Sequence, residues 1–176
     1  MKLPGKKKTL VKNFKIPLLG LHNVRNSTAA IAVTLIIGIS IKIIKEGLAQ
    51  FKGVQRRFNK LYRYKNVDFF DDYAHHPSEI KEVLSGVKEV YKDEKIVCIF
   101  QPHRISRLKD LRKDFSKSFK NADEVVLCPI YTAGEKISLG FKYEDFAREI
   151  SQNSKVKIFI VKDENNLAKY VKNNIY

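Results

Sequence analysis

VDFFDDYAHHPSEIKEVLSGVKEVYKDEKIVCIFQPHRISRL, residues 67–108, contains two strand–loop–helix patterns in succession. The runs VDFFDD and KIVCIF are rich in β-branched and aromatic residues, which strands favour. Each run leads into a polar loop, and beyond each loop apolar residues recur at helical spacing. The first helix has Ile80, Val83, Leu84, Val87 and Tyr91, and the second has Ile105, Leu108, Leu111, Phe115 and Phe119. Two such units in a row predict a parallel sheet with crossover helices.

The two loops, DDYAHHP at 71–77 and FQPHRISR at 100–107, hold three of the chain's four histidines. Both loops follow the carboxyl ends of neighbouring predicted strands, and ligands bind at this edge of such sheets. Arg104 and Arg107 lie at the start of a predicted helix. There, forked guanidinium groups and free N–H groups can bind a carboxylate or a phosphate together. The pattern predicts a site for an anionic ligand.

The first loop adds an acceptor, Asp72, and a titratable donor, His75, to this predicted site. A purely structural interpretation competes with it. In that interpretation the two arginines are solvated charges at a helix end, and His76 caps the helix ahead of Pro77. Either loop taken alone fits both interpretations, whereas the two loops together favour a site.

The remaining sequence continues the alternation of strands and helices. Arg56 and Arg57 open a predicted strand, RFNKLYRY, whose regular geometry would point only one of these arginines at a ligand. After the second helix come the predicted strand ADEVVLCPIY, the loop IYTAGEKISLGF, a short helix, the strand KVKIFIV and a last helix. The order β-β-α-β-α-β-α-β-α predicts an α/β fold, doubly wound around a mostly parallel sheet.

The first part of the chain follows a different pattern. Residues 1–15 are basic with a weakly alternating segment, TLVKNFK, and residues 27–41 form the longest uncharged stretch. That stretch is shorter than the roughly 18–20 residues that cross a bilayer, so it predicts a helix buried on most sides. A second helix is predicted over 41–51, and Gly53 marks the predicted domain boundary.

Composition allows one domain and part of another in 176 residues, with a formal net charge of +15. Such a charge suggests an anionic partner, but the lysines are scattered and also fit a general compositional bias. Cys98 and Cys128 lie inside apolar runs without the spacing of zinc ligands, which predicts free buried thiols.

Five motifs occur here in a fixed order: GLHNVRNSTAA, FKGVQRRF, DDYAHHPSE, FQPHRISR and IYTAGE. In this order they resemble the C-terminal part of Mur ligases, from about Pro17 to the end of the chain. DDYAHHP with QPHRxxR is similar to the member of that family that joins L-alanine to UDP-N-acetylmuramate at the expense of ATP. The resemblance implies a Rossmann-like Mur ligase C-terminal domain at 53–176, preceded by a helical remnant of the central ATP-binding domain at 1–52.

The resemblance also implies roles for individual residues. The pocket for L-alanine and its carboxylate would comprise Tyr73, His75, His103, Arg104 and Arg107, with His75, Arg104 and Arg107 also assigned to catalysis. The ATP site would comprise His22 and Asn23 at the adenine, Asp72 at the ribose and Arg57 at the γ-phosphate. No metal ligand is assigned in this chain, and those of Mg²⁺ would lie mostly elsewhere. Glu135 receives no role.

The expected substrates are UDP-N-acetylmuramate, L-alanine and ATP, and the expected location is the cytoplasm. No G-x-x-x-x-G-K-[ST] motif occurs in the sequence. The resemblance therefore implies a fragment or split product that ends before a last strand and glycine-bearing loop, with a complementing N-terminal half as a partner.

Two other functions remain open from the residues alone. A basic nucleic-acid-binding module would use aromatic and basic residues together, and YRYK at 62–65 is the nearest case. A metal-dependent hydrolase would use Asp71, Asp72, His75 and His76, although further ligands lack a recognisable spacing. Neither a nucleic acid nor a membrane is the expected partner.

Overall fold

The structure is a computed structural model that describes residues 12–18, 20–54, 56–136 and 141–175. The chain divides into two compact units, Met1–Gln55 and Arg56–Tyr176. The segment TLVKNFK lies partly outside the described residues, and its described part, 12–15, has no regular secondary structure.

The first unit contains helix α1, Leu21–Ile36, and helix α2, Ile41–Gln50. The hydroxyl of Ser40 accepts a hydrogen bond from the N–H of Ile43 and so caps α2. The prediction that the uncharged stretch is buried on most sides is wrong for this unit, because Ser27 is the one buried residue of α1. In its unit the apolar helix α1 packs against α2 on one side. Large apolar side chains on its other sides, such as those of Val33 and Ile36, are exposed. None of the helices in the described residues has both the length and the apolarity that a membrane crossing requires.

The second unit follows the predicted order of elements. The strands are β1, Asn59–Tyr64; β2, Val67–Asp71; β3, Val97–Phe100; β4, Glu124–Leu127; and β5, Lys157–Ile160. The helices are α3, Pro77–Val90; α4, Ile105–Asp110; α5, Arg112–Phe115; α6, Tyr143–Ser154; and α7, Glu164–Asn174.

The strands form two sheets within the described residues. β3, β4 and β5 pair side by side in parallel, and β1 and β2 form an antiparallel hairpin. The α/β class with a parallel sheet is thus confirmed, but β2 is not a hydrogen-bonded neighbour of β3. A cavity of about 550 Å³ separates the two strands, lined by residues of both and by Ile175 after α7.

The core explains why helices cover both faces of the parallel sheet. Successive side chains of a strand point to opposite faces, and all of β4 is buried. Val125 and Leu127 pack with a cluster to which α3, α4, α5 and α6 contribute. Val126 packs on the other face with Tyr170 of α7. This alternation gives the doubly wound arrangement.

The helical pattern from Ile105 is interrupted, so two short helices replace the single one that the spacing predicts. α5 ends at Phe115, where serine hydroxyls compete for backbone groups. Ser118 donates its hydroxyl to the carbonyl of Asp114, and Ser154 of α6 donates to the carbonyl of Ser116. Both cysteines are free, as predicted, but only Cys128 is buried; Cys98 is partly buried, and desolvation raises its pKa to about 12.

Candidate functional site

Two loops of the second unit meet beyond the carboxyl ends of β2 and β3. The rings of His75 and His103, one from each loop, have centroids 6.0 Å apart. Tyr73 packs edge-on against His75 at 4.9 Å between ring centroids. The two loops therefore lie on the same side even though their strands are not paired.

The first loop is fixed by its own hydrogen bonds. His76 is the N-cap of α3 ahead of Pro77, which confirms the capping prediction. Glu79 completes the capping box by accepting the N–H groups of His75 and His76. The carboxylate of Asp72 accepts the N–H groups of Phe58 at 2.8 Å and of Ala74 at 2.6 Å, one on each oxygen. These bonds determine where the loop residues between them lie.

The neutral form of His75 has a defined proton position. Its Nδ1 lies 2.8 Å from the carbonyl oxygen of Tyr73, which can only accept a hydrogen bond. Nδ1 therefore carries the proton, and Nε2 keeps its lone pair. The half-buried imidazole thus offers an acceptor to a ligand.

The second loop brings together the cations of the site. Arg107 Nη1 lies 3.5 Å from Nδ1 of His103 and 3.5 Å from its carbonyl oxygen. Because a guanidinium only donates, Nδ1 of His103 accepts, and its proton resides on Nε2. Partial desolvation, followed by the charges of Arg107 and Arg104, lowers the pKa of His103 below its ordinary value. The lowered pKa favours the neutral form of His103, in which Nε2–H is the donor.

Arg104 has an unusual backbone. Its φ of 67° and ψ of 133° place a non-glycine residue at positive φ immediately before α4. The N–H of Arg104 donates to the carbonyl of Tyr131 at 2.8 Å. The side chain is exposed at the start of the helix, which agrees equally with a solvated charge and with a residue that meets an anion.

A third loop contributes residues to which no role was assigned from the sequence. The Tyr131 ring lies 5.2 Å from the His103 ring, and the Glu135 carboxylate accepts hydrogen bonds from Ser106. The sequence signals were the glycine and the polar residues that follow a buried strand. They indicated a loop after the strand but not these contacts.

The paired arginines do not open a strand, because β1 begins two residues after Arg57, at Asn59. Arg56 has a φ of 57°, so the strand rule for opposite faces does not apply to this pair. The Arg56 guanidinium lies 4.8 Å from the centre of the Tyr73 ring and 3.6 Å from Asp71.

The charge of Arg57 acts on Glu79, in the first turn of α3. Burial raises the pKa of Glu79, but hydrogen bonds from the N–H groups of His75 and His76 and the charges of His75 and Arg57 together lower it below its ordinary value.

His22 and Asn23 belong to the first unit, in the first turn of α1. Nδ1 of His22 is buried and has no hydrogen-bond partner among the described residues. A side chain at Gly20 would meet the His22 ring at 2.7 Å, and the φ of Gly20 is +91°, so both space and backbone favour glycine. The contact of His22 and Asn23 with adenine stays a prediction.

Within the described residues no group of three histidine, cysteine or carboxylate side chains is placed to hold a metal ion. Three residues of the metal-hydrolase alternative form contacts of other kinds. Asp71 pairs with Arg56, Asp72 binds backbone N–H groups, and His76 caps a helix. The metal alternative therefore gains no support from the geometry.

Comparison with known families matches residues 56–175 to the family described as Mur ligase, glutamate ligase domain. This match covers more than half of the chain. The chain belongs to the Mur ligase family.

Individual Mur ligases are similar over almost the whole chain. UDP-N-acetylmuramate–L-alanine ligase of Pelagibacter ubique is 65% identical over 174 residues, which are 99% of this chain and 38% of that protein. The enzyme of the same name from Brachyspira hyodysenteriae is 46% identical over 160 residues, or 91% of this chain and 32% of that protein. The chain thus spans about a third of the length of these relatives.

Solved structures give the same family likeness. The crystal structure of UDP-N-acetylmuramate-alanine ligase MurC from Thermotoga maritima matches with a TM-score of 0.68 and 34% identity, covering 89% of this chain and 33% of that chain. A murein peptide ligase from Psychrobacter arcticus has a TM-score of 0.64 at 23% identity, covering 92% of this chain and 33% of that one. The latter shares the fold of this Mur ligase chain.

Proposed function

We propose that the chain forms the C-terminal part of an ATP-dependent ligase that joins L-alanine to UDP-N-acetylmuramate in the synthesis of peptidoglycan precursors. The observation that carries this proposal is the meeting of His75, His103, Arg104 and Arg107 beyond the carboxyl ends of β2 and β3. The similarity to ligases that bear this name supports the choice of substrate.

The carboxylate of the amino acid would lie against the second loop. Arg107 is held by His103, and Arg104 stands at the helix start with its side chain exposed. Charge-assisted hydrogen bonds from such groups are shorter and stronger than neutral ones. The Nε2–H of His103 adds a third donor directed by the same loop. An anion here would offset the repulsion among these cations.

The amino group would meet His75. An α-ammonium must lose a proton before its nitrogen can act as a nucleophile, and Nε2 of His75 has the lone pair to accept it. The carbonyl of Tyr73 keeps the proton of the neutral ring on Nδ1. We therefore assign proton acceptance to His75, carboxylate binding to Arg104, Arg107 and His103, and one wall of the pocket to Tyr73.

The ATP site would be shared with polypeptide outside this chain. Arg57 is exposed, and its charge helps to lower the pKa of Glu79 at the start of α3. This agrees with a basic residue on the same side as the first loop. Asp72 keeps free lone pairs beside the two N–H groups that it binds, which is compatible with a ribose contact. His22 and Asn23 would meet the adenine. ATP supplies the phosphoryl group that activates the acceptor carboxylate.

Magnesium would depend on ligands from elsewhere. The described residues offer no group of three candidate ligands for Mg²⁺. The partners of the reaction would be UDP-N-acetylmuramate, L-alanine, ATP and an N-terminal half that bears the phosphate-binding loop. The cytoplasm is the proposed location, because ATP is the reactant.

We also propose that residues 1–52 are a remnant of the central ATP-binding domain and that 53–176 form the C-terminal domain, whose sheet takes one further strand. Facing edges of β2 and β3 border a cavity of about 550 Å³, and an edge strand presents N–H and C=O groups that pair with another strand. The amides of β2 and β3 should exchange more slowly in a longer protein that contains this strand than in the 176-residue chain. Equal rates would count against the extra strand.

The pocket is tested by Arg104→Ala and Arg107→Ala in the complete ligase that carries these residues. Each change removes charge-assisted bonds to the substrate, so we expect the KM for L-alanine to rise by roughly 30- to 150-fold, equivalent to about 2–3 kcal/mol. The KM for ATP should change little. Lys113→Ala, which removes an equal charge from an exposed position on α5, serves as the control. Unchanged alanine kinetics in both arginine variants would refute the pocket.

A further inference from the structure

The carboxylate of Glu135 contacts the start of α4, although it follows Ser106 by 29 positions in the chain. One oxygen accepts the N–H of Ser106 at 2.9 Å, and the other accepts the hydroxyl of Ser106 at 2.7 Å. The first N–H groups of a helix have no acceptor within the helix. The N-cap residue, Arg104, makes no side-chain cap bond here. Glu135 therefore caps the amino end of α4, although it belongs to another loop.

A tight turn directs the carboxylate to this place. Ala133 and Gly134 have φ values of 52° and 87°, and the N–H of Glu135 donates to the carbonyl of Thr132 at 3.1 Å. A turn with two positive φ values reverses the chain over two residues. The reversal brings Glu135 back towards the loop that contains Arg104.

The backbone of the same loop forms a second attachment. Arg104 donates its N–H to the carbonyl of Tyr131 at 2.8 Å, and Tyr131 donates its own N–H to the carbonyl of Pro102 at 2.9 Å. Arg104, whose φ is positive, is thus bonded to Tyr131 through its own N–H and is followed two residues later by Ser106, which Glu135 holds. A non-glycine residue keeps such a conformation only where surrounding contacts hold it. Contacts on both sides of Arg104 come from the segment 131–135.

We propose that Glu135 is a positioning residue for the two arginines of the pocket: through Ser106 it holds the start of α4, and so the strained backbone of Arg104 and the direction of Arg107. The inference rests on the proposed function for the identity of the ligand, L-alanine. Hydrogen bonds from Ser106 lower the pKa of Glu135, so the carboxylate keeps its charge and its acceptors at neutral pH.

The decisive pair of variants is Glu135→Ala and Glu135→Gln. Glutamine can accept the N–H of Ser106 with its oxygen and donate to the hydroxyl with its amide, so it keeps both bonds and loses only the charge. In the complete ligase, Glu135→Ala should raise the KM for L-alanine about tenfold with a much smaller change in kcat. Glu135→Gln should restore most of the loss. Lys136→Ala, at the exposed neighbouring position, should behave as the wild type.

A second measurement on the 176-residue chain does not depend on activity. The amide of Ser106 should exchange with solvent at least about tenfold faster in Glu135→Ala than in the wild type or in Glu135→Gln. The coupling between the amide and α protons of Arg104 should report a changed φ in the alanine variant alone. A urea titration of each variant establishes that it is folded before these values are compared.

The outcomes separate the two proposals. An unchanged KM for L-alanine in Glu135→Ala, with Ser106 exchange accelerated, would overturn the positioning role. A glutamine variant as impaired as the alanine variant would also overturn it, because charge and not hydrogen bonding would then be the cause. If Arg104→Ala and Arg107→Ala leave the kinetics with L-alanine unchanged, the proposed pocket fails. The exchange rate of Ser106 and the φ of Arg104 in the free chain are measured without L-alanine, so they test the contact of Glu135 independently of the pocket.

Discussion

Charged groups are arranged differently at the two ends of the strands of the three-stranded sheet, here called the amino edge and the carboxyl edge. At the amino edge, Glu124 is buried, with 8% of its surface exposed. Its carboxylate accepts the hydroxyl of Tyr170 at 2.7 Å and pairs with Lys95 at 3.0 Å and Lys157 at 3.6 Å. The hydrogen bond from Tyr170 and the two lysines lower the pKa of Glu124, although burial works against them. Opposite charges here meet within the chain.

At the carboxyl edge, charges of one sign collect. Arg104, just before α4, and Arg107, within α4, lie beside His103, and the nearby Glu135 carboxylate is bound to Ser106. The repulsion is visible in the lowered pKa of His103, to which both arginines contribute after desolvation. Glu124 is thus surrounded by partners of opposite charge, whereas the two arginines at the carboxyl edge repel each other, which is the arrangement that the proposed anion site requires.

The largest expected effect concerns the amino edge. Glu124→Ala leaves the buried Tyr170 hydroxyl without its acceptor and separates two lysines from their partner. We expect the free energy of unfolding of the chain to fall by about 2–3 kcal/mol. Arg107→Ala, at the other edge, should change it by less than about 0.5 kcal/mol. Urea titrations of both variants measure the contrast, and similar losses in the two would contradict it.

Acid titration sharpens the same contrast. A carboxyl whose pKa is lower in the folded state stabilises the fold above its unfolded pKa, and this contribution is lost as the pH falls through the folded pKa. For Glu124 the window lies below its ordinary value of 4.5. Glu124→Gln should therefore reduce the loss of stability on acidification. Part of the loss should remain, because Glu79 and Glu135 also have lowered pKa values.

The next effect concerns the pKa of His103. Removing a neighbouring positive charge favours the protonated imidazole, so Arg107→Ala should raise this pKa. Arg104→Ala should raise it less, because the charge of Arg107 contributes more. Lys113→Ala removes the same charge but is not among the causes of the shift, so it should leave the pKa unchanged. NMR titration of the His103 ring protons measures all three, and an equal rise in the lysine variant would contradict the proposed cause.

Local signals in the sequence predicted much of this arrangement. The cap at His76 follows from a proline at the first helical position, and the order of elements follows from hydrophobic periodicity. The two loops were predicted to share a side because each follows a strand and precedes a helix. These features depend on neighbours a few residues away, so the sequence alone contains them.

Other features depend on distant contacts. The separation of β2 from β3 is a matter of strand pairing, which no single strand specifies. The contact between Glu135 and Ser106 joins residues 29 positions apart, and the positive φ of Arg104 has no local sequence signal of the kind that glycine gives. The apolar pattern of α1 predicted burial but could not specify what covers the helix.

The smallest and sharpest expected effect is the position of single protons. His75 faces a carbonyl through Nδ1, whereas His103 faces a guanidinium through the same atom, so their neutral forms should be opposite tautomers. His76 is an internal reference: its Nδ1 accepts the N–H of Ser78, so its proton should lie on Nε2, as in His103. Nitrogen chemical shifts of the ring atoms at about pH 8, where neutral imidazole dominates, distinguish the two forms. If His75 shared the tautomer of His76, its Nε2 would be a donor. The pocket would then have no acceptor for the amino group, and the assignment of His75 as the proton acceptor would have to be abandoned while the carboxylate side of the pocket stood.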